Sequence, residues 1–147
     1  MNDNTPQNQT GKNILCIEDE HFISELYTRA LTKAGYNVTS VYDGIEGLAQ
    51  AKTNQFDVIL LDIMIPNMKG TEILTRLRSE TPNLRAKVIV TTNLDQGDDG
   101  RADVEKLADG YIIKANITPK ELVKYLEAFD PSVFSEQLRQ SDNTKIY

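Results

Sequence analysis

An α/β fold built on a parallel sheet is predicted by three observations. Short apolar runs alternate with helix-period segments five times between Asn13 and Phe129. Val58-Ile59-Leu60-Leu61 is an unbroken apolar run of the kind found in strands covered on both faces. Helix punctuation falls between the runs, with Gly35 as a stop signal and Thr118-Pro119 as a start signal.

The elements are taken in chain order. "NILCI" (Asn13–Ile17) is the first strand. His21 to Ala34 carries Phe22, Leu26, Ala30 and Leu31 at helical spacing and closes at Gly35. "NVTSV" (Asn37–Val41) alternates as a strand, and Asp43 to Asn54 places Ile45, Leu48, Ala49 and Ala51 on one helical side. The Val58 run is the third strand. Thr71 to Ser79 comes next as a helix bearing Ile73, Leu74 and Leu77. "KVIVT" (Lys87–Thr91) and "GYIIK" (Gly110–Lys114) are the fourth and fifth strands. Between them, Gly97 and Gly100 and the mutually repelling Asp95, Asp98, Asp99 and Asp103 predict a loop and a short helix starting near Arg101. The last helix runs from Pro119 to about Phe129, with Thr118 as N-cap and Glu121 in the capping-box place.

Whole-chain properties bound the function. The 147 residues suggest one domain, residues 13–130, between a polar tail at 1–12 and a second tail at 131–147 in which Val133, Phe134, Gln137 and Leu138 suggest a short amphipathic helix. A net charge of −6 argues against nucleic acid or an anionic membrane as partner. No stretch is apolar enough to span a bilayer and no leader opens the chain. Cys16 is the only cysteine and reads as a small buried hydrophobe, consistent with a reducing cytoplasmic setting.

Ligands of parallel α/β sheets bind beyond the carboxyl ends of the strands. Here the first strand leaves Glu18, Asp19 and Glu20 there, the third Asp62, the fourth Thr92 and the fifth Lys114. A carboxylate that ends a buried run is costly unless it is paired or binds a metal. Close carboxylates resist ionising together, and a hard divalent cation resolves the conflict; Mg2+ suits a site with few carboxylates, a carbonyl, waters and phosphate oxygens. Lys114 and Thr92 then have an anion to bind, and Asp62 is the candidate nucleophile for an acyl phosphate. Taken singly, these residues have plainer readings: helix-start acids for Glu18 and Asp19, a solvated strand end for Lys114, a β-former or cap for Thr92. His21, at a helix start, reads as exposed or partly packed.

Over about Lys12 to Phe129 these residues resemble the receiver domain of bacterial two-component response regulators. The resemblance rests on the acidic pair Glu18-Asp19, on "LLDIMIPNMKG", on a threonine 30 residues past Asp62, and on a lysine 22 past that threonine. It implies a flavodoxin-like (βα)5 doubly wound parallel sheet of order 2-1-3-4-5. It implies that Asp62 accepts a phosphoryl group from a phosphohistidine of a sensor histidine kinase or phosphotransfer protein. By the same resemblance Asp19, Asp62 and the backbone carbonyl of Met64 hold Mg2+, with Glu18 acting mainly through water. Lys114 pairs with Asp62, Thr92 bonds a phosphoryl oxygen, and Tyr111 is the aromatic switch position. The expected protein is a stand-alone, CheY-like phosphoacceptor that promotes its own phosphorylation and dephosphorylation and signals through protein contacts, with no DNA-binding region after the fifth helix.

The competing readings are weaker. A pseudo-receiver or scaffold would not need the five site residues. A calcium loop at Asp95–Lys106 fails on Gly97 at its third position and Lys106 at its last. A haloacid-dehalogenase-type phosphatase needs an acid where Met64 stands.

Three departures from the family pattern carry expectations. Asn93 comes directly after Thr92 where a small residue is usual, and with Met64 it should restrict the water that removes the phosphoryl group. The weak segment before the fourth helix should be mobile. Ala115 comes after Lys114 where proline is usual, so the Lys114–Ala115 bond should be trans.

Overall fold

The computed structural model describes residues 11–93 and 101–129 of the chain. Strands β1 (Asn13–Ile17), β2 (Asn37–Val41), β3 (Val58–Asp62), β4 (Lys87–Thr92) and β5 (Gly110–Ile113) alternate with helices α1 (His21–Lys33), α2 (Gly44–Ala51), α3 (Gly70–Glu80), α4 (Arg101–Leu107) and α5 (Pro119–Glu127). All strands pair in parallel, in the order β2-β1-β3-β4-β5. This is the flavodoxin-like doubly wound arrangement.

Side-chain alternation along each strand builds two cores. Leu15 and Ile17 of β1 and Ile59 and Leu61 of β3 face Leu48, Ile73, Leu74, Leu77 and Val104 of α2, α3 and α4. Ile14, Cys16 and Leu60 face Tyr27 and Leu31 of α1 and Leu122 and Leu126 of α5. β3 is buried along its whole length because both faces are covered. Edge strand β2 buries only Val41.

Local signals act at the positions expected of them. Gly35 takes a φ of +103° just past α1. Thr118 Oγ1 accepts the Glu121 N–H while Glu121 Oε1 accepts the Thr118 N–H, a complete capping box with Pro119 in the first turn.

Two helix faces differ from expectation. Phe22 is 71% exposed and Leu26 and Ala30 are only partly buried; of the expected face α1 buries Leu31, together with Ser24 and Tyr27. Either phase of the 3.6-residue period offers apolar residues, and the sheet selects the one carrying Tyr27 and Leu31. On α2, Ile45 and Ala49 are exposed while Gly44, Gly47, Leu48 and Ala51 are buried. A Cβ at Gly47 would lie 2.8 Å from Ile17 Cγ2. The sheet-facing side of α2 is thus built on glycine, which a search for apolar side chains passes over.

The fifth strand ends one residue earlier than expected. Lys114–Asn116 form a 3₁₀ turn, and among the described residues no peptide bond is cis, so Lys114–Ala115 is trans. α4 begins at Arg101 as expected. The loop before it lies outside the described residues, as do the first half of the rejected calcium loop and most of both tails. Lys12 is tied to the sheet, its carbonyl accepting the Asn37 N–H.

Candidate functional site

β1 and β3 lie side by side at the centre of the sheet, so the residues after Ile17 meet the end of β3 at one edge. Asp62 is the last residue of β3 and only 3% exposed. Glu18 comes directly after β1, and its N–H donates to Val41 O at the end of β2, fixing the turn. Lys114 enters from the end of β5. It brings its Nζ to 2.8 Å from Glu18 Oε1 and 3.3 Å from Asp62 Oδ2. Glu18 and Lys114 are buried as well.

Backbone amides complete the site. Met64 N–H donates to Asp62 Oδ1 at 3.1 Å, and Glu20 N–H donates to Glu18 Oε2 at 3.1 Å. The chain leaving Asp62 is held by Ile63 N–H on Thr91 O and by Gly70 N–H on Ile63 O. Gly70 has no room for a side chain, since a Cβ there would collide with Asp62 O.

Thr92, the last residue of β4, is buried. Tyr111 lies half-buried in β5 and packs on the core shared with α3 and α4. Asn93 is exposed, and Met64 is 64% exposed. Met64 enters the described contacts through its amide; its carbonyl, expected as a ligand, keeps that role as a proposal. The Glu18 carboxylate is the nearer partner of Lys114.

Electrostatics at this edge are unbalanced. One oxygen each from Glu18, Asp19 and Asp62 lies within 4.8 Å of the others. Three carboxylates against the single Lys114 ammonium leave excess negative charge. Burial, followed by the Glu18 charge, pushes the Asp62 carboxyl up to about 7, while Lys114 and the Met64 amide pull it back. Burial works against the Lys114 charge too, but its hydrogen bond to Glu18 and the Asp62 and Glu18 charges outweigh this and hold its pKa above the usual lysine value. An all-oxygen donor set with surplus negative charge fits a hard divalent cation such as Mg2+. Cys16 is buried behind the site with its thiol pushed up to about 12 by burial, which makes it inert.

Some neighbours of the site carry no signal in the sequence pattern. Thr91 is buried and supplies the carbonyl that holds Ile63. The exposed His21 ring stacks on Tyr42, centroids 3.9 Å apart and planes 6° apart. The aromatic residue just past β2 was the available signal, but its partner lies 21 residues away and only the β1–β2 register brings the two together.

Comparison with known proteins agrees with this fold. Residues 14–127 match the family model described as the response regulator receiver domain. The chain is 36% identical over 101 residues to the probable transcriptional regulatory protein TcrX of Mycobacterium tuberculosis, covering 69% of this chain and 42% of that protein. It is 38% identical over 104 residues to the response regulator ArlR of Staphylococcus haemolyticus, covering 69% and 45%. The chain therefore spans less than half the length of these curated relatives. A CheY-like receiver domain protein from Methanospirillum hungatei superposes with a TM-score of 0.74 at 28% identity, over 86% of this chain and 99% of that one. The chemotaxis response regulator CheY4 of Vibrio cholerae gives 0.71 at 28% identity, over 81% and 98%. The chain belongs to the family of response regulator receiver domains of two-component systems.

Proposed function

We propose that Asp62 accepts a phosphoryl group from a phosphohistidine on a sensor histidine kinase or phosphotransfer protein. The observation that carries this reading is the placement of Asp62: buried, central, held by Lys114 and grouped with Glu18 and Asp19. An Asp62 carboxylate oxygen attacks phosphorus, the P–N bond to the donor imidazole breaks, and an acyl phosphate forms. Attack by water on the same phosphorus returns the carboxylate and inorganic phosphate.

Glu18, Asp19, Asp62 and the Met64 carbonyl are the residues that would hold Mg2+. When bound, Mg2+ supplies positive charge against the carboxylates and the phosphoryl oxygens. Lys114 Nζ, already on Asp62 Oδ2, binds a phosphoryl oxygen once the acyl phosphate exists. The Thr92 hydroxyl bonds another, and Tyr111 couples the event to the α4–β5 side. The chain is not read as an enzyme acting on a separate substrate; it promotes the formation and loss of its own acyl phosphate.

Output through protein contacts is part of the proposal. The exposed large apolar residues among those described, Phe22, Tyr42, Ile45 and Met64, sit at helix starts and loops on the carboxyl edge of the sheet, around Asp62. The net charge of −6 supports a protein rather than a nucleic-acid partner. A cytoplasmic setting is proposed on the single buried Cys16; among the described residues no helix is long and apolar enough to cross a membrane.

The test is incubation with acetyl phosphate or phosphoramidate and Mg2+, read by intact mass. The expected result is one phosphoryl group per chain, lost in Asp62→Asn and absent when EDTA replaces Mg2+. No adduct on the unaltered chain would favour a phosphorylation-independent scaffold, and an adduct retained in Asp62→Asn would move the acceptor elsewhere.

A further inference from the structure

We infer that the His21–Tyr42 ring stack is the device that positions Asp19, so that two side chains outside the acidic cluster set its affinity for a divalent cation. The inference rests on the proposed Mg2+ site and names residues that the site's own chemistry does not include.

The acids at this edge are not equally restrained. Asp62 is held by Lys114 and the Met64 amide, and Glu18 by Lys114 and the Glu20 amide. Asp19 makes no side-chain hydrogen bond or ion pair among the described residues, and it is more exposed than the other two. Its position is therefore inherited from the backbone between Glu18 and α1. That connection is short: β1 ends at Ile17 and α1 begins at His21. The start of α1 has no side-chain cap and no acid in its first turn, so the usual local restraints on a helix N-terminus are missing.

Two contacts with β2 replace them. On one side of Asp19, Glu18 N–H donates to Val41 O at 3.1 Å. On the other, the His21 ring lies nearly flat on that of Tyr42, the residue after Val41, at 3.9 Å. Asp19 is thus bracketed, one residue before it and two after, by tethers to consecutive residues of the neighbouring strand end. Removing the stack leaves the backbone after Asp19 held only by local bonds, Glu20 N–H on Glu18 Oε2 and Ser24 N–H on Glu20 O, with no tether of its own to the end of β2. A metal ligand whose orientation depends on neighbouring groups loses affinity when those groups are removed.

Both rings lie at the surface, His21 exposed and Tyr42 38% exposed, so changing them leaves the two cores intact. The experiment is isothermal titration of Mg2+ into the full chain and into Tyr42→Leu, His21→Leu, the double variant, and the ring-preserving Tyr42→Phe and His21→Phe. The expected result is a roughly threefold to tenfold weaker Kd in each leucine variant, at or below the lower edge of the about 10–100-fold lost when a hydrogen-bonding support of a metal ligand is removed. The double variant should be no weaker than either single one, because one stack is lost in every case, and the ring-preserving variants should bind like the original chain. Urea unfolding in EDTA provides the structural control: a lowered midpoint with unchanged Mg2+ affinity would make the stack purely structural and overturn the inference. Additive losses would also overturn it. If the unaltered chain binds no Mg2+, the proposed site fails first, and that outcome is distinct from equal binding by all variants.

Discussion

Lys114 Nζ lies closer to Glu18 (2.8 Å) than to Asp62 (3.3 Å). The ammonium is therefore shared, and Glu18 draws on charge that would otherwise go entirely to Asp62. Glu18 also acts on Asp62 directly, its charge being the largest influence after burial in raising the Asp62 carboxyl. Replacing Glu18 with Gln removes that repulsion and leaves Lys114 with one anionic partner. The Asp62 carboxyl should then titrate at a lower pH, as followed by carbon-13 chemical shift in the absence of divalent ions. An Asp62 titration that stays put or moves up would contradict the shared-ammonium account.

Asp62 also makes stability depend on pH, with a definite sign. Its carboxyl is raised from 3.8 to about 7 on folding, so the folded state binds the proton more tightly than the unfolded state does. The associated stability is complete below the unfolded value and is lost as pH rises through about 7. The Lys114 contribution, from a pKa raised above 10.5, is lost only at higher pH and does not interfere. Asp62→Asn mimics the neutral acid. Without divalent ions it should stabilise the chain by on the order of 2 kcal/mol at pH 8, discounted for the coupling with Glu18 and Lys114. At pH 4 the gain should vanish. Mg2+ should stabilise the unaltered chain more at pH 8 than at pH 5. Urea midpoints at the two pH values check both statements.

The fold was legible because its signals are local or periodic. The start and end of β1 and β2, the start of α4 and the capping box at Thr118 arise from runs, caps and breakers within a few residues. The phase of α1 was not, since Phe22 and Tyr27 compete for the sheet and only the sheet decides. The α2 face was read in part, with Leu48 and Ala51 buried as expected, but Gly44 and Gly47 were passed over because they are buried by closeness rather than by hydrophobicity. Strand ends gave candidate residues of which the structure gathers Glu18, Asp19, Asp62 and Lys114 at one edge, as parallel sheets do. The Glu18–Lys114 pairing and the His21–Tyr42 stack depend on distances between loops, which no single-chain pattern encodes.

Gly70, the first residue of α3, packs directly on the backbone that carries Asp62. Its N–H donates to Ile63 O, and its Cα faces the backbone of Asp62 so closely that a Cβ would overlap Asp62 O and approach Ile63 Cα to 2.7 Å. Backbone, unlike the end of a flexible side chain, has little freedom to yield. Gly70→Ala should cost about 1–3 kcal/mol, the range for overpacking a well-filled site. It should also slow phosphorylation by acetyl phosphate, because relief of the overlap displaces the Asp62 carbonyl and the strand end that aims the carboxylate. Stability within about 0.5 kcal/mol of the original chain, the scatter of surface substitutions, would show that the loop relaxes away from Asp62 instead.

The lifetime of the proposed acyl phosphate is the remaining quantity that side chains around Asp62 should set. Thr92 is buried at the end of β4, the strand that pairs with β3, and Asn93 comes directly after that strand, at the surface. Met64 projects into solvent two residues past Asp62. A water that removes the phosphoryl group must approach phosphorus in line with the Asp62 oxygen it displaces. If the exposed amide side chain of Asn93 and thioether of Met64 border the site, they narrow that approach, and neither is an acid or base able to activate the water. Bulk, not chemistry, should therefore dominate, and the phosphorylated state should be long-lived. Asn93→Ala opens the approach and should speed loss of phosphate, measured by intact mass after removal of the phosphodonor. Asn93→Ala combined with Met64→Ala should be faster still. An unchanged or slower rate in Asn93→Ala would mean that Asn93 orients the water instead of excluding it.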